Sequence, residues 1–404
     1  MKDPELHLFI LWPYARNEEG RIVQDIQERF EIVRQCEIRW SSRNFSRNLT
    51  RFYGEKLPDG SHKERHCGRG PFSLIVVRDL HPVYENRETS KGNQLVNVNL
   101  FDAKERYRLW TGGGHRVHAT NTPRETRHDL ALLFGRDAER YFEKDAVRFE
   151  TGTVERDVPG ADGWEDLEEL FYVLNNTLNY IVLRNYECLP HEYTMAAHGD
   201  IDLLTENYQE TVFITNSAPV FRLKHRVLNR VRIGNDDVLF DFRHVGDKYY
   251  DVNWEKDILR RRVLAPGGFY IPAPKDYFYS LLYHAAVHKK EIAPDYRVRL
   301  VEIAAGAGID GVSTVLFDDR FQVRTFLQSY LTEHGYDFTE PIDFSVYYNE
   351  NTVGRKRTSL KRRALLEILN LLKPMKSPYR FARRTASLVK ERIMGIAWML
   401  RNQR

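Results

Sequence analysis

The sequence predicts a protein of the α/β class with more than one domain. Apolar segments with the strand and helix periods alternate over residues 1–136. Two later apolar strands, at 201–204 and 238–245, carry acidic residues, and a basic, leucine-rich stretch occupies 351–404. We therefore expect a ferredoxin-like plait, then a mixed sheet followed by helices, and then an amphipathic tail.

The length of 404 residues fits two or three domains. The charge-rich stretch before Val158-Pro159-Gly160-Ala161-Asp162-Gly163 is a candidate boundary, because Pro and Gly mark turns. The expected division is a first domain over 1–136, a linker over 137–163, a second domain over 164–350 and a tail over 351–404.

Composition narrows the possible partners and compartment. The net charge of +4 is too mild for a chain whose whole surface binds nucleic acid. The three cysteines lack CxxC spacing, which favours a reducing compartment and argues against a disulfide or zinc framework. The segment Met1–Glu5 does not have the features of a signal peptide, and no apolar run is long enough to span a bilayer. We expect a cytoplasmic location.

The first domain is predicted to run strand, helix, strand, helix, strand, strand, helix, strand, with one further helix. The strands are expected at Leu6–Leu11, Ile32–Trp40, Phe72–Val77, Leu95–Leu100 and Gly112–His118. The helices are expected at Gly20–Phe30, Asn44–Tyr53, Ala103–Trp110 and Pro123–Phe134. His66, Cys67 and Gly68 are expected in a loop rather than at a metal.

Four short motifs of this domain resemble nucleoside diphosphate kinase. They are Leu8–Ala15 (LFILWPYA), Arg51–Tyr53 (RFY), Arg108–Gly112 (RLWTG) and His115–Glu125 (HRVHATNTPRE). The resemblance implies a ferredoxin-like fold in which His118 stands where the family carries its phosphorylated histidine. It is also compatible with a homo-oligomer, since such plaits often assemble.

The departures from that family are equally specific. Trp12 stands where the family has a phosphate-binding lysine, and His115 replaces an asparagine. The segment Gly114–His118 is too short for the family's loop and its second phosphate-binding arginine. Without those cations a transferring phosphate lacks charge stabilisation. We expect a degenerate or repurposed site, with a phosphoryl carrier and a packed strand histidine as the alternatives for His118.

An acidic pair lies inside the apolar run His198-Gly199-Asp200-Ile201-Asp202-Leu203-Leu204. On a strand, Asp200 and Asp202 point to the same face. Their like charges repel, and a hard cation such as Mg²⁺ bound by both removes the conflict. Solvated turns and calcium loops also contain such pairs, but the apolar neighbours favour a strand.

A third carboxylate is predicted on the strand Val238–Val245. Asp241 is the one acid inside that apolar run, and a lone acid there needs a binding partner. Asp236 and Asp237 precede it in a turn-like Gly-Asn-Asp-Asp segment and are expected to face solvent.

The strand Tyr180–Tyr186, the Asp-x-Asp strand after it and the third acidic strand together resemble the nucleotidyltransferase superfamily. The likeness is in particular to its phosphocholine-transferase-like and uncharacterised bacterial branches. The resemblance covers about residues 165–300. Arg184 and Asn185, within Tyr180–Tyr186, stand where the family has Lys-Gly or Gly-Ser. It implies Mg²⁺ or Mn²⁺ at Asp200, Asp202 and Asp241, with phosphate neighbours at Arg184, Asn185, His198 and Gly199.

The same resemblance implies a nucleotide-activated, CDP-type donor and a surface glycan or lipid-linked sugar as acceptor. A predicted helix after Pro274 carries Tyr283, His284, His288 and Lys289, which either approach this site or pack in a core. A different class of function also stays open, in which two nucleotide-related folds sense ligands without turnover.

The tail over 355–404 interleaves many Lys and Arg residues with Leu, Ile, Met and Trp. Basic amphipathic helices of this kind suit an anionic membrane surface. We expect peripheral binding at the inner face of the cell membrane, with a protein-interface helix and nucleic acid as the less favoured alternatives.

Overall fold

The computed structural model describes residues 3–89, 92–142, 150–221 and 225–357. It has the mixed α/β architecture that the sequence predicts. The described chain divides into two compact units. The first contains the residues up to Leu178 together with Val212–Asn216 and Arg232–Asp236, and the second contains the other described residues.

Up to Leu178 the chain forms strands interspersed with helices. The strands are β1 (Glu5–Leu11), β2 (Glu31–Arg39), β3 (Phe72–Asp79), β4 (Tyr84–Thr89), β5 (Gly92–Asn97), β6 (Val117–Ala119) and β7 (Glu150–Glu155). The α-helices are α1 (Glu19–Arg29), α2 (Phe45–Tyr53), α3 (His62–Cys67), α4 (Val98–Trp110), α5 (Pro123–Phe134) and α6 (Leu167–Thr177). Two 3₁₀ helices lie at Pro13–Glu18 and Gly135–Tyr141.

The first sheet has the strand order β6-β1-β3-β2-β7. Its first four strands pair antiparallel, which is the ferredoxin-like arrangement that we predicted. Strand β1 is buried from His7 to Leu11 and β3 at all but one position, so the centre of the sheet is covered on both faces. One of its cores gathers Phe9, Leu11, Ile75 and Val77 of the sheet around helices α1 and α4.

Several parts of the first unit differ from the sequence-based expectation. His66 and Cys67, expected in a loop, lie in helix α3, and strand β4 was not predicted. The predicted strand Leu95–Leu100 ends at Asn97, because the Asn97 side chain accepts a hydrogen bond from the backbone N–H of Asn99 and so caps helix α4. The expected linker contains β7, which pairs parallel with β2. Helix α6, expected in the second domain, packs against α5 in the first unit.

From residue 179 on, short strands are followed by helices. The strands are β8 (Tyr180–Val182), β9 (Ile201–Thr205), β10 (Ala218–Pro219), β11 (Leu228–Ile233), β12 (Asp236–His244), β13 (Val263–Leu264) and β14 (Tyr270–Ile271). The α-helices are α7 (Met195–His198), α8 (Tyr208–Thr215), α9 (Val252–Arg260), α10 (Pro274–Val287), α11 (Pro294–Ala307), α12 (Arg320–Glu333) and α13 (Glu350–Val353), with a 3₁₀ helix at Thr314–Asp318.

The second sheet has the order β10-β11-β12-β9-β8 and is mixed. Strand β9 pairs parallel with β12 and antiparallel with β8. Helices α9 to α12 supply an aromatic-rich core that includes Trp254, Phe278, Leu282 and Tyr283. Asp236 and Asp237 are exposed as predicted, although they begin β12 instead of belonging to the turn before it.

The tail expected at 355–404 lies outside the described residues from position 358 onward. Among the described helices, none combines the length and the apolar character needed to cross a membrane.

Candidate metal centre

The acidic pair sits at the start of strand β9. All five residues of the strand are buried, including Asp202, whereas Asp200 just before it is exposed. Gly199 has a φ of +74°, a backbone conformation that L side chains rarely adopt, and it leads the chain from α7 to Asp200. The apolar residues of the strand are therefore the anchor that holds one carboxylate in the interior and the other at the surface.

Asp241 completes a cluster of three carboxylates. It lies on the neighbouring parallel strand β12 in register with Asp202. One carboxylate oxygen from each of Asp200, Asp202 and Asp241 lies within 4.8 Å of the other two. Three convergent carboxylates are the oxygen donor set that Mg²⁺ and Mn²⁺ prefer, so the residues fit such an ion.

Arg184 directly accompanies the buried member of the triad. Its Nη2 donates a hydrogen bond to Asp202 Oδ1. Arg184 is only 8% exposed, and its Nη1 has no hydrogen-bond partner among the described residues. A buried donor without a partner costs free energy, so this N–H is available to donate a hydrogen bond to a ligand oxygen.

Asn185 follows with a φ of +55°. Its Oδ1 accepts a hydrogen bond of 2.7 Å from Arg299 Nη1. Asparagine is among the few non-glycine residues that adopt the left-handed conformation readily. Asn185 therefore holds a backbone conformation that glycine adopts more readily than other residues.

Arg243 is a second buried cation beside the triad. Its Nη2 donates a hydrogen bond of 3.0 Å to Asp241 Oδ2. Its Nη1 lies 3.7 Å from Asp247 Oδ2 and 3.6 Å from Asp343 Oδ2. Arg226 approaches the other oxygen of Asp343, with its Nε at 3.6 Å. Three carboxylates and two guanidiniums therefore form a continuous charged network on one side of the triad.

The charges of this region do not cancel. Five carboxylates face three guanidiniums, which leaves a net charge of −2 when all are ionised. Burial is the main reason that the pKa of Asp202 is raised to about 7, opposed by Arg184 and reinforced by Asp200. Burial also raises the pKa of Asp241, against the influence of Arg243. One divalent cation would balance the network.

Helix α10 and its C-cap residue bring two histidines, His284 and His288, close to this network. His284 Nδ1 lies 2.6 Å from the Tyr249 hydroxyl, and the His288 ring centroid lies 4.1 Å from that of Tyr249. The Arg243 guanidinium lies 4.5 Å from the same tyrosine ring. Burial, followed by nearby arginines, lowers the pKa values of both histidines well below the usual range. Both are therefore neutral core residues at pH 7.

His198 precedes Asp200 by two positions and makes local contacts in the turn. It is exposed at the end of α7, where its Nδ1 accepts a 3.0 Å hydrogen bond from the backbone N–H of Thr194. Its ring stacks on Tyr193, with centroids 5.7 Å apart. The Tyr193 hydroxyl also donates a hydrogen bond to the Gly199 carbonyl. These contacts hold the turn before Asp200.

Sequence reasoning missed most of the charged residues that surround the triad. Arg243 could have been found, because it follows Asp241 by two positions and so shares its face of β12. Asp247 and Tyr249 follow in the next turn. Asp343 lies about a hundred positions further on in an irregular segment, and no local pattern distinguishes it.

In the first unit, His118 lies on β6 as the predicted closing strand residue. Its Nε2 lies 2.7 Å from Asp129 Oδ2, and Asp129 also receives a 2.9 Å hydrogen bond from His128 Nδ1. Burial alone would raise the pKa of Asp129, but the two histidines lower it overall. The His118 ring packs edge-on against Phe52 and Tyr53.

Trp12 is the residue expected at the position of the phosphate-binding lysine of nucleoside diphosphate kinase. It is fully buried and its Nε1 donates a 3.0 Å hydrogen bond to the Tyr53 hydroxyl. Its ring packs against Trp40 and Phe72, at 5.7 and 4.6 Å between centroids. An apolar aromatic cluster therefore occupies this position.

Comparisons with known proteins add little to this geometry. No protein-family model matches the chain, and no curated protein matches it. Among solved structures, the nucleoside diphosphate kinase of Aquifex aeolicus is similar at 18% sequence identity, over 32% of this chain and 93% of the kinase chain. The TM-score of 0.22 is too low to carry an argument about fold or activity.

Proposed function

We propose that this protein is a Mg²⁺- or Mn²⁺-dependent nucleotidyl- or phosphotransferase whose site is built on Asp200, Asp202 and Asp241. The observation that carries the proposal is the convergence of three carboxylate oxygens within 4.8 Å, in a network with a net negative charge. A structural salt-bridge cluster needs no such excess. A divalent cation bound there would supply charge neutralisation for a phosphate group.

The chain's own residues would then have distinct roles. Asp200 and Asp202 hold the cation, and Asp241 completes the site and accepts a proton from an acceptor hydroxyl. The unpartnered Nη1 of Arg184 donates to a phosphate oxygen, since a charged donor on a transferring phosphate is worth more than a neutral one. Arg243 keeps Asp241 oriented through its 3.0 Å hydrogen bond.

The substrates follow from the resemblance to nucleotidyltransferases. The donor is a CDP-type activated nucleotide, and the acceptor is a surface glycan or a lipid-linked sugar. The basic segment 355–404 would hold the enzyme on the anionic inner face of the cell membrane.

Flotation with anionic vesicles tests the membrane binding. The full chain is compared with a chain that ends at Gly354, and equal flotation of the two refutes a role of the basic segment.

A thermal-shift screen tests the catalytic proposal. CTP, CDP-choline, CDP-polyols, ATP, GTP and UDP-sugars are added with and without Mg²⁺ to the wild type, to Asp200→Asn and to the control Asp236→Asn, an exposed acid at the start of β12. We expect one nucleotide class to stabilise the wild type and the control only with Mg²⁺, and not Asp200→Asn. A Mg²⁺-independent shift that Asp200→Asn retains would contradict the proposal.

A binding protein that senses nucleotides without turnover is the rival from another class. It predicts the same Mg²⁺-dependent shift without product formation when donor and candidate acceptors are both supplied. Release of the nucleotide from a labelled donor, abolished in Asp202→Asn with folding intact, would exclude it.

A second candidate function rests on His118. A carboxylate can only accept a hydrogen bond, so the nitrogen of His118 that contacts Asp129, Nε2, carries the hydrogen. In neutral His118 the lone pair is then on Nδ1. That arrangement is typical of an activated nucleophile and suits a phosphoryl carrier. Incubation with labelled nucleoside triphosphates should give acid-labile label that is absent in His118→Asn. Label that survives this substitution would exclude the carrier role.

A further inference from the structure

Helix α11 lies against the segment that carries Arg184. Arg299 of this helix donates a 2.7 Å hydrogen bond from Nη1 to Asn185 Oδ1. Its Nη2 also donates to Glu187 Oε1 and to the Tyr277 hydroxyl. Charge-assisted hydrogen bonds are stronger than neutral ones, so this guanidinium holds α11 against the residues next to Arg184. The helix is therefore fixed beside the acidic site of the second unit.

Tyr296 lies one turn earlier on α11. Residues three and four positions apart are neighbours on a helix surface, so Tyr296 lies next to Arg299 and to the fully buried Leu300. Its ring packs against the aromatic core of the second unit and approaches the ring of His284, with centroids 6.0 Å apart. Tyr296 is only half-buried, so part of its side chain stays accessible to a ligand.

The Tyr296 hydroxyl belongs to the surroundings of the buried charges of the site. Burial raises the pKa of Tyr296, and the next two influences are Arg184, which lowers it, and Asp202, which raises it. A chain of contacts leads to the same place. His284 Nδ1 lies 2.6 Å from the Tyr249 hydroxyl, and the Arg184 guanidinium lies 5.8 Å from the Tyr249 ring. Tyr296 is therefore a neighbour of the buried ion pair.

Both Arg184 and Tyr296 keep a hydrogen-bond donor unused. Arg184 donates to Asp202 through Nη2 and leaves Nη1 without a hydrogen bond, although the residue is only 8% exposed. The Tyr296 hydroxyl likewise forms no hydrogen bond within the part of the chain that the structure describes. Since buried donors are nearly always paired in folded proteins, the open N–H of Arg184 indicates a ligand oxygen at this place.

We propose that the Tyr296 hydroxyl donates a hydrogen bond, together with Arg184 Nη1, to the phosphate group on which the proposed transferase acts. This role of Tyr296 rests on the proposed function. It adds Tyr296 as a substrate-binding residue, with Arg299 as the residue that positions its helix. Fixed donors directed at the oxygens of a transferring phosphate stabilise the charge that it carries during transfer.

A purely structural tyrosine is the rival explanation. In that case the ring packs on His284 and the hydroxyl meets only solvent. Tyr296→Phe separates the two explanations, because it keeps the ring and removes the hydroxyl alone. The matched control is Tyr279→Phe on helix α10, a partly buried tyrosine whose ring stacks on Tyr330 with centroids 3.5 Å apart.

Titration calorimetry with the Mg²⁺ complex of inorganic tripolyphosphate tests the proposal on the full chain. Tripolyphosphate carries the phosphate groups of a nucleoside triphosphate without a base, so the result does not depend on which base the enzyme prefers. We expect Tyr296→Phe to bind it about tenfold more weakly than the wild type, because a hydrogen bond to a charged group is lost. Tyr279→Phe should bind like the wild type. Binding by the basic segment 355–404 is common to all chains, and Asp200→Asn measures it.

Mn²⁺ binding without phosphate gives a second readout. Its affinity should be the same in the wild type, Tyr296→Phe and Tyr279→Phe, because the hydroxyl contacts the phosphate and not the cation. Equal tripolyphosphate binding by the wild type and Tyr296→Phe would overturn this proposal alone, as would a loss of Mn²⁺ affinity in Tyr296→Phe that matches the loss of phosphate affinity. Wild-type binding no tighter than that of Asp200→Asn would overturn the proposed function and this proposal with it.

Discussion

Asp202 and Asp241 are register partners on the adjacent parallel strands β9 and β12. Side chains at matched positions of neighbouring strands leave the same face of the sheet, so the two carboxylates are held side by side by backbone hydrogen bonds. Each carries its own guanidinium, Arg184 on Asp202 and Arg243 on Asp241. Among the described residues, the exposed Asp200 has no guanidinium of its own, so its negative charge is available to a cation.

Asp200→Asn should weaken metal binding without harming the fold. Asp200 is exposed, and its charge adds to the repulsion on Asp202, so the free energy of unfolding should stay within about 0.5 kcal/mol of the wild type or rise slightly. The affinity for Mn²⁺, measured by titration calorimetry, should fall at least about tenfold, and Asp236→Asn should leave it unchanged. Unaltered Mn²⁺ binding in Asp200→Asn would remove this residue from the site.

Arg184→Met should destabilise the metal-free protein, and Mg²⁺ should partly restore its stability. Removing the guanidinium leaves Asp202 buried beside Asp241 without its counter-charge, which costs about 3 kcal/mol or more. A bound cation replaces the missing positive charge. The increase in Tm caused by Mg²⁺ should therefore be larger in Arg184→Met than in the wild type, and Arg184→Lys should fall between them. A smaller Mg²⁺ effect in Arg184→Met would contradict a cation site at Asp202.

Substitutions of Asn185 should separate its backbone role from its side-chain role. Asn185→Gly and Asn185→Ala both lose the hydrogen bond to Arg299 Nη1. Only alanine is strained at a φ of +55°, by about 1 kcal/mol. Chemical denaturation should therefore show the glycine variant to be the more stable of the two by about that amount. An alanine variant as stable as the glycine variant would mean that the turn relaxes to another conformation.

Lys104 should make stability rise with pH in the alkaline range. Burial, followed by the charge of Arg108, lowers its pKa to about 8 in the folded protein, against an ordinary value near 10.5. Between these two values the unfolded chain binds more protons than the folded one, so the free energy of unfolding increases with pH.

Below pH 8 Lys104 is protonated in both the folded and the unfolded state. The buried charge then lowers the free energy of unfolding by a constant amount. Lys104→Met removes this dependence while it also removes the 2.9 Å hydrogen bond to Asn121 Oδ1. The stability of the wild type relative to Lys104→Met should grow by at most about 1.4 kcal/mol per pH unit between pH 8 and 10. Parallel pH profiles for the two chains would show that Lys104 titrates normally.

Local pattern was sufficient for most elements and for the triad itself. Helix α5 begins and ends at the predicted residues, because Thr122 caps it and Gly135 follows it. The carboxylates Asp200, Asp202 and Asp241 could be selected because acids inside apolar strands are costly without a partner. The strand β7 was missed because its partner β2 lies more than a hundred positions earlier in the sequence, and no local sequence pattern reveals such a pairing.

The sequence by itself determined the periods of strands and helices, the acidic positions and the basic composition of the tail. These depend on neighbours along the chain, through side-chain alternation and capping. Only the tertiary structure decided that Arg184 and Arg243 pair with Asp202 and Asp241, and that the distant Asp343 adds a further carboxylate to the same network. The physical reason is that electrostatic and metal-ligand relationships depend on distances in space, and residues far apart in sequence acquire those distances only when the sheets and helices pack.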